Sequence, residues 1–192
     1  MKDITTKITA PILLACISLT GCTSTKPVTQ IHNQPSEGNR LLIDGFEEEN
    51  FWYTSKSRED NSLSTEITDE WSTENDNCGM WTFSRIPDGK QASFSCSSLS
   101  FSDWSNAKCL TCDINNMTKG SLEICLEIES GVAHEKTRTG YVTLGRGENT
   151  NVYFDLQMFK PCDSEEIKKI TFIIRGENSG GRIYMDNICL FR

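Results

Sequence analysis

Three glutamates on one short segment are the side chains of this sequence best placed for acid–base chemistry. Residues 121–129 read SLEICLEIE, and their strict alternation puts Glu123, Glu127 and Glu129 on one face of a β-strand. Hydrolysis of a glycosidic bond needs two carboxylates roughly 5 to 10 Å apart, one on either side of the bond. Cys125 stands where the E-x-D-x-x-E pattern of such enzymes has an aspartate. Regular alternation on an outer sheet face explains the glutamates without catalysis.

Nucleophilic chemistry finds even less support in the sequence. His32 lies in a polar N-terminal stretch and His134 in a glycine-rich turn, and neither GxSxG nor HExxH occurs. His134 with Arg138 is the pair that could serve a lyase. We therefore predict a binding protein and not an enzyme, with a small glycoside hydrolase or lyase as the less favoured alternative.

Cysteine spacing raises two further kinds of site, a metal or redox pair and a disulfide. Cys109 and Cys112 have CxxC spacing, but residues 107–114 read as a strand, in which positions three apart point to opposite faces. That geometry is poor for a shared metal or a local disulfide. Cys78 and Cys96 flank a Pro-Asp-Gly turn and form the predicted disulfide, if 79–86 and 91–97 make a hairpin.

The N-terminus carries the signature of membrane export. Two lysines in the first seven residues precede an uncharged apolar run of about 13 residues, whereas a transmembrane helix needs roughly 20. The run ends Leu19-Thr20-Gly21-Cys22, which resembles the lipobox of bacterial lipoproteins. The resemblance implies that residues 1–21 are a signal peptide and that Cys22 receives fatty acyl chains such as palmitate. It also implies a lipid-anchored protein of the cell envelope, in the outer membrane rather than the inner.

Composition divides the remaining chain into a tether and one domain. Residues 22–40 are rich in Thr, Ser, Asn, Gln and Pro and cannot bury enough apolar surface to fold, so we predict a flexible tether. Residues 41–192 hold 15 Lys and Arg against 25 Asp and Glu, a net charge of −10. That charge argues against nucleic acid as a partner and favours neutral glycans or cations.

Short alternating segments separated by turn residues predict an all-β domain. No stretch has sustained helical periodicity, and about ten short strands indicate an antiparallel β-sandwich. The predicted strands include residues 79–86, 91–97, 107–114, 121–129, 140–144, 151–156, 170–175 and 182–191.

Five short motifs, in order, resemble the galactose-binding-domain-like jelly rolls that include many carbohydrate-binding modules. The domain opens with Asp44-Gly45-Phe46-Glu47 and closes with Tyr184-Met185-Asp186-Asn187-Ile188. Between them lie Asp103-Trp104-Ser105, then Asp113-Ile114-Asn115-Asn116, and finally residues 144–156 with LGRGENT followed by YFDL. The resemblance covers residues 41–191 and implies a jelly-roll sandwich.

The resemblance further implies two sites. A structural calcium ion would be held near the domain ends by Asp44, Glu47 and Asp186, since calcium prefers oxygen ligands. Glycan binding needs exposed aromatic platforms, for which Trp52, Tyr53 and Trp71 are predicted. The protein would capture polysaccharide or present it to carbohydrate-active enzymes or transport partners. The alternative is a structural or protein-interaction envelope lipoprotein that binds no sugar.

Overall fold

The computed structural model describes residues 40–54, 63–158, 161, 163–176 and 180–192. The predicted signal peptide 1–21, the lipidation site Cys22, all but the last residue of the predicted tether 22–40, and Cys162 lie outside these described residues. The described part of the chain includes no helix of the length and apolarity needed to cross a membrane.

Twelve β-strands make up the regular structure of the described residues. In chain order they are β1 (Arg40–Asp44), β2 (Trp52–Thr54), β3 (Leu63–Thr68), β4 (Cys78–Phe83), β5 (Ala92–Cys96), β6 (Cys109–Asn116), β7 (Leu122–Ser130), β8 (Glu135–Arg138), β9 (Val142–Leu144), β10 (Gly147–Asp155), β11 (Ile167–Gly176) and β12 (Gly181–Phe191).

The strands form two antiparallel sheets packed face to face. The β12 sheet has the order β10-β6-β12-β4-β3, with β1 also paired to β12. The β11 sheet has the order β2-β5-β11-β7-β8, with β9 also paired to β7. The predicted all-β antiparallel sandwich is confirmed. So is the predicted alternation of β7, whose apolar face (Leu122, Ile124, Leu126 and Ile128) is buried.

Aromatic rings from both sheets meet in the core. Trp81 of the β12 sheet stacks on Phe94 of the β11 sheet, with ring centroids 4.6 Å apart. The same indole lies 5.0 Å from the ring of Trp52 and 5.7 Å from that of Phe172. Such rings bury large areas, and paired rings add about 0.5–1.5 kcal/mol beyond that burial. These contacts hold the two sheets together.

The predicted hairpin of residues 79–86 and 91–97 is wrong. The turn forms, because Lys90 N donates to Pro87 O at 2.9 Å and Gly89 has a φ of 75°. However, β4 pairs with β3 and β12, whereas β5 pairs with β2 and β11. Residues 84–91 therefore cross from one sheet to the other. In this arrangement the apolar faces of β4 and β5 are both buried in the core between the sheets.

The positions of the cysteines follow from the same arrangement of the strands in two sheets. Cys78 and Cys96 lie in different sheets as free, buried thiols, so the predicted disulfide between them is wrong. Cys109 and Cys112 point to opposite faces of β6, as predicted. Cys112 belongs to the core between the sheets and Cys109 to a small apolar cluster outside it with Cys189.

Close contact between Phe46 and β4 requires a glycine at position 79. Phe46 adopts a left-handed φ of 60°, and its backbone N–H donates to Asp44 Oδ1 at 2.7 Å. This conformation directs the buried ring against the backbone of Gly79. A Cβ atom at that position would lie 2.4 Å from Phe46 Cε1, well inside van der Waals contact.

We predict that Gly79→Ala lowers the free energy of unfolding by about 1–3 kcal/mol, because the enclosed Phe46 ring must move. Denaturation in urea measures this change. Gly140→Ala is the matched control, since a Cβ there meets no described atom within 4 Å. Equal stability of the two variants would contradict the predicted clash.

Candidate functional site

The outer face of the β11 sheet presents rows of side chains that run across its strands. One row consists, by strand register, of Tyr53, Ser95, Thr171, Glu127 and Arg138. The two central hydroxyls are 2.9 Å apart and buried, whereas the tyrosine at the edge is 45% exposed. The row is therefore low in its centre and higher at its ends. We call this surface the β11 face.

Tyr141 lies across the β11 face on the side of β7. Gln91 Nε2 donates to its phenolic oxygen at 2.7 Å, and the guanidinium carbon of Arg175 lies 3.6 Å from its ring centroid. A hydrogen bond also links the phenol to the buried thiol of Cys125, whose pKa is raised by burial. Contacts from three strands or their ends therefore hold the ring in one orientation.

Two glutamates of the β11 face are surrounded by cations. Glu127 accepts from Arg138 at 2.6 Å and pairs with Lys136 at 3.2 Å. Burial raises the pKa of Glu127, but these two hydrogen bonds outweigh it and leave the pKa lowered. Glu129 pairs with Lys169 at 2.5 Å, and this contact, helped by His134, lowers the pKa of Glu129. Both side chains are thus stabilised as carboxylates.

The third glutamate of β7 is paired in the same way. Glu123 Oε2 accepts from Arg175 Nε at 2.7 Å, and both side chains are more than two-fifths exposed. The pair lies directly across β7 and β11 in the strand register. Arg175 therefore contacts Glu123 and also covers one side of the Tyr141 ring.

The structure separates the three aromatic residues predicted as binding platforms. Trp52 is 4% exposed and packs against Trp81 in the core, so its prediction as an exposed platform is wrong. The polar neighbour Asn50, which suggested exposure, accepts from the backbone N–H of Trp52 at 3.1 Å. Tyr53, one residue further, points outward onto the β11 face. Trp71 lies against the other sheet, 6.3 Å from the ring of Tyr184.

Tyr141 is a residue of the site that sequence reasoning did not select. It falls in the predicted strand 140–144 but precedes β9 in the structure, so the period of the strand does not determine its direction. Its position depends on contacts with Gln91 and Arg175, which are distant in the chain. The signal that the sequence offers is an aromatic residue within a short predicted strand.

The carboxylate of Asp186 accepts hydrogen bonds from three backbone N–H groups. Its Oδ2 atom accepts from the backbone of Thr73 at 2.7 Å and of Glu74 at 2.9 Å, and its Oδ1 atom accepts from Asn187 N at 2.7 Å. The side chain is fully buried. Asp186 thereby fixes residues 69–77 against the outer face of the β12 sheet.

The other two predicted calcium ligands are used in a similar way. Asp44 accepts from Phe46 N and from Trp52 Nε1, each at 2.7 Å. Burial raises the pKa of Asp44, and the charge of Asp186 adds to the rise. Glu47 accepts from the backbone of residues 76 and 77.

These carboxylates do not fit the calcium site that the resemblance implies. A calcium ion needs six to eight oxygen ligands that face it, whereas N–H donors occupy the oxygens of Asp44, Glu47 and Asp186. Within the described ranges, no group of three or more His, Cys, Asp and Glu side chains is arranged to hold a metal ion.

The outer faces of the two sheets therefore differ in accessibility. On the β12 sheet, residues 69–77 cover the centre, and Asp113, Tyr184 and Asp186 are buried although they point away from the core. Thr73 Oγ1 lies between two of these carboxylates, 2.7 Å from Asp113 and 3.1 Å from Asp186. The β11 face instead presents Tyr53, Tyr141 and ion-paired side chains outward.

Sequence comparisons find no relative of this chain. No known protein family matches it, and no curated protein does.

Comparison with solved structures shows the fold. The family 11 carbohydrate-binding module of the cellulosomal cellulase Lic26A-Cel5E of Clostridium thermocellum matches 79% of this chain and 94% of its own, with a TM-score of 0.62 and 18% identity. A family 28 module described as specific for non-crystalline cellulose matches 82% of this chain and 97% of its own, with a TM-score of 0.59 and 14% identity. The predicted jelly-roll fold of carbohydrate-binding modules is confirmed.

An agarase, AgWH50C, contains a similar domain. The match covers 80% of this chain but 24% of the agarase, with a TM-score of 0.58 and 13% identity. The likeness is thus to one part of a larger enzyme.

The charge pairs of β7 generate a pH prediction. The pKa values of Glu127 and Glu129 are lower in the folded protein than the roughly 4.3 of an unfolded glutamate. Their stabilisation is therefore complete above that value and is lost as the pH falls through the folded pKa values. We expect Glu129→Gln to lower the melting temperature at pH 7 and to reduce its fall between pH 7 and pH 3.

Glu135→Gln, at an exposed position of β8, is the control for that experiment. It should retain the pH dependence of the unaltered protein. If Glu129→Gln retained the same dependence, the ion pairs of Glu129 would contribute nothing to acid sensitivity.

Proposed function

We propose that this protein is a non-catalytic, lipid-anchored glycan-binding protein whose β11 face binds neutral polysaccharide. The observation that carries the proposal is that Tyr53 is exposed and Tyr141 is half-buried on the same outer face of a carbohydrate-binding-module fold. Pyranose rings stack on aromatic faces, and nearby polar groups hydrogen-bond their hydroxyls. The partly exposed charged pairs supply such groups beside the tyrosines.

Pre-organisation of Tyr141 supports a binding role. Its hydrogen bond from Gln91 and its contact with Arg175 keep the ring in place before any ligand arrives. A side chain that is already ordered loses less conformational entropy on binding. The Tyr141 ring lies across the strands on the outer face, so it is not part of the core between the sheets.

Charge balance on the β11 face supports a neutral ligand. Glu123, Glu127 and Glu129 are paired with Arg175, Arg138, Lys136 and Lys169, so these residues carry one excess positive charge while the domain is strongly acidic. An anionic polymer would be repelled by the domain as a whole, and each of these cations is already engaged by a carboxylate of the same face.

The same ion pairs support binding rather than hydrolysis. A glycosidase needs one carboxyl group with a raised pKa to protonate the leaving oxygen. Hydrogen bonds from cations lower the pKa of Glu127 and of Glu129, which is the opposite direction. Held ionised, these side chains suit acceptance of hydrogen bonds from sugar hydroxyls.

Anchoring at Cys22 would place this face near the cell surface. Acyl chains contribute roughly 0.8 kcal/mol per buried methylene, so two or three of them anchor a protein stably. The polar residues 22–40 would then separate the domain from an outer membrane by a flexible segment. In that position the protein would hold polysaccharide for carbohydrate-active enzymes or transport partners.

Glycan binding is tested by affinity electrophoresis in gels containing mixed-linked β-1,3-1,4-glucan and by depletion onto non-crystalline cellulose and agarose. We expect retention on at least one of these polysaccharides. Tyr53→Ala and Tyr141→Ala should each weaken it about tenfold, because each loses a stacking surface. Trp71→Ala, on the opposite side of the sandwich, is the matched aromatic control and should bind normally.

Two results would contradict the proposal in different ways. Loss of binding in Trp71→Ala with normal binding in Tyr53→Ala would place the site over the β12 sheet. Absence of retention on all three polysaccharides would favour a structural or protein-interaction lipoprotein.

Cys22→Ser tests the anchor. In bacterial cells expressing the full chain, we expect the unaltered protein to incorporate radiolabelled palmitate and to sediment with membranes. The variant should do neither, because serine has no thiol to accept the lipid. Cys16→Ser, inside the predicted signal peptide, is the control and should still be labelled. Labelling of the Cys22 variant would show that the lipid is attached elsewhere.

A further inference from the structure

A polar pocket of about 440 Å³ opens at one end of the β11 face. It lies where β7 begins, where β9 and β11 end, and where the connection between β4 and β5 returns to the sheet. Its polar side chains include those of Gln91, Ser121, Glu123, Thr143 and Arg175. The volume falls within the range of roughly 300–1,000 Å³ that is typical of small-ligand sites.

The pocket shares two of its lining residues with the surroundings of Tyr141. Gln91 and Arg175 line it, and these two residues also hold Tyr141 through its hydroxyl and its ring face. A sugar ring stacked on Tyr141 would therefore place the next unit of the same chain at the pocket. The two features form one surface with an aromatic part and a hydrogen-bonding part.

The lining specifies the chemistry of the occupant. Among the described lining residues there is no apolar side chain, so an apolar ligand would gain little free energy by binding there. The charges of Asp88 and Glu123 balance those of Lys90 and Arg175. Glu123 and Arg175 are paired at 2.7 Å yet remain partly exposed, so the pair offers acceptor and donor groups side by side. Adjacent hydroxyls of a neutral sugar match that arrangement.

We propose that this pocket is the subsite that selects one neutral sugar unit of the bound polysaccharide. It does so through hydrogen bonds from the unit's hydroxyls to Glu123 and Thr143 and from Arg175. The inference rests on the proposed glycan binding of the β11 face. It adds that the two sites have different roles. The tyrosines stack on sugar rings of many kinds, whereas the pocket distinguishes one kind of sugar unit from another.

Two substitutions test the pocket while Tyr141 and the two residues that hold it, Gln91 and Arg175, are left unchanged. Thr143→Val removes one hydroxyl at nearly constant volume, and Glu123→Gln removes the charge of one acceptor. Thr82→Val, on the outward side of β4 in the other sheet, is the matched control. Affinities are measured by affinity electrophoresis in mixed-linked β-1,3-1,4-glucan and by depletion onto non-crystalline cellulose and agarose. Melting curves verify that each variant is folded.

We expect Thr143→Val to weaken binding about fivefold and Glu123→Gln about tenfold, because a lost neutral hydrogen bond costs less than a charged one. Both should also change the ranking of the three polysaccharides. Tyr53→Ala should instead weaken all of them alike. Thr82→Val should bind as the unaltered protein does.

The outcomes separate this inference from the proposed function. Normal affinity and ranking in both pocket variants, with binding lost in Tyr53→Ala, would overturn the subsite and leave glycan binding intact. Equal weakening on every polysaccharide in the pocket variants would overturn the selective role. Failure of the unaltered protein to bind any of the three would overturn the proposed function and the subsite together.

Discussion

The contact of Trp81 with Phe94 is the interaction on which the rest of the structure depends. It joins the two sheets and, with Trp52 and Phe172, determines which residues of four strands face inward. Side chains alternate along a strand, so the residues next to them must face outward. Tyr53, Ser95 and Thr171 reach the β11 face for this reason. A slip of one residue would exchange the core residues of these strands with those of the β11 face.

Local patterns in the sequence predict the strands and their faces well. The alternation of residues 121–129 and the opposed directions of Cys109 and Cys112 follow from a period of two alone. The choice of partner strand is not local, because it depends on where apolar faces meet after the chain has turned. For that reason the turn at Pro87 was assigned correctly and its hairpin was not. Tyr141 escaped selection because contacts from distant segments orient it.

Surrounding polarity also misled the assignment of Trp52. A tryptophan among asparagines and glutamates suggests exposure, yet Asn50 and Asp44 bond the backbone and indole N–H groups of the buried residue. The same principle applies to Asp186 and Glu47, whose carboxylates bind the backbone of residues 69–77. Residue types alone do not reveal whether a carboxylate will meet a cation or an amide. Several carboxylates of this acidic domain accept hydrogen bonds from its own backbone.

The position of Arg40 determines how the fold bears mechanical load. A force applied at Arg40, the first residue of β1, would act on the pairing of β1 with β12, in which Arg40 lies opposite Phe191. Its guanidinium group donates to Cys189 Sγ at 3.0 Å and also bonds Glu74 and Asn187. Tension would therefore be shared among β12 and residues 69–77 instead of peeling β1 from its neighbour one pair at a time. Since the β11 face belongs to the other sheet, a force at this fastening point would reach the tyrosines only through the core between the sheets.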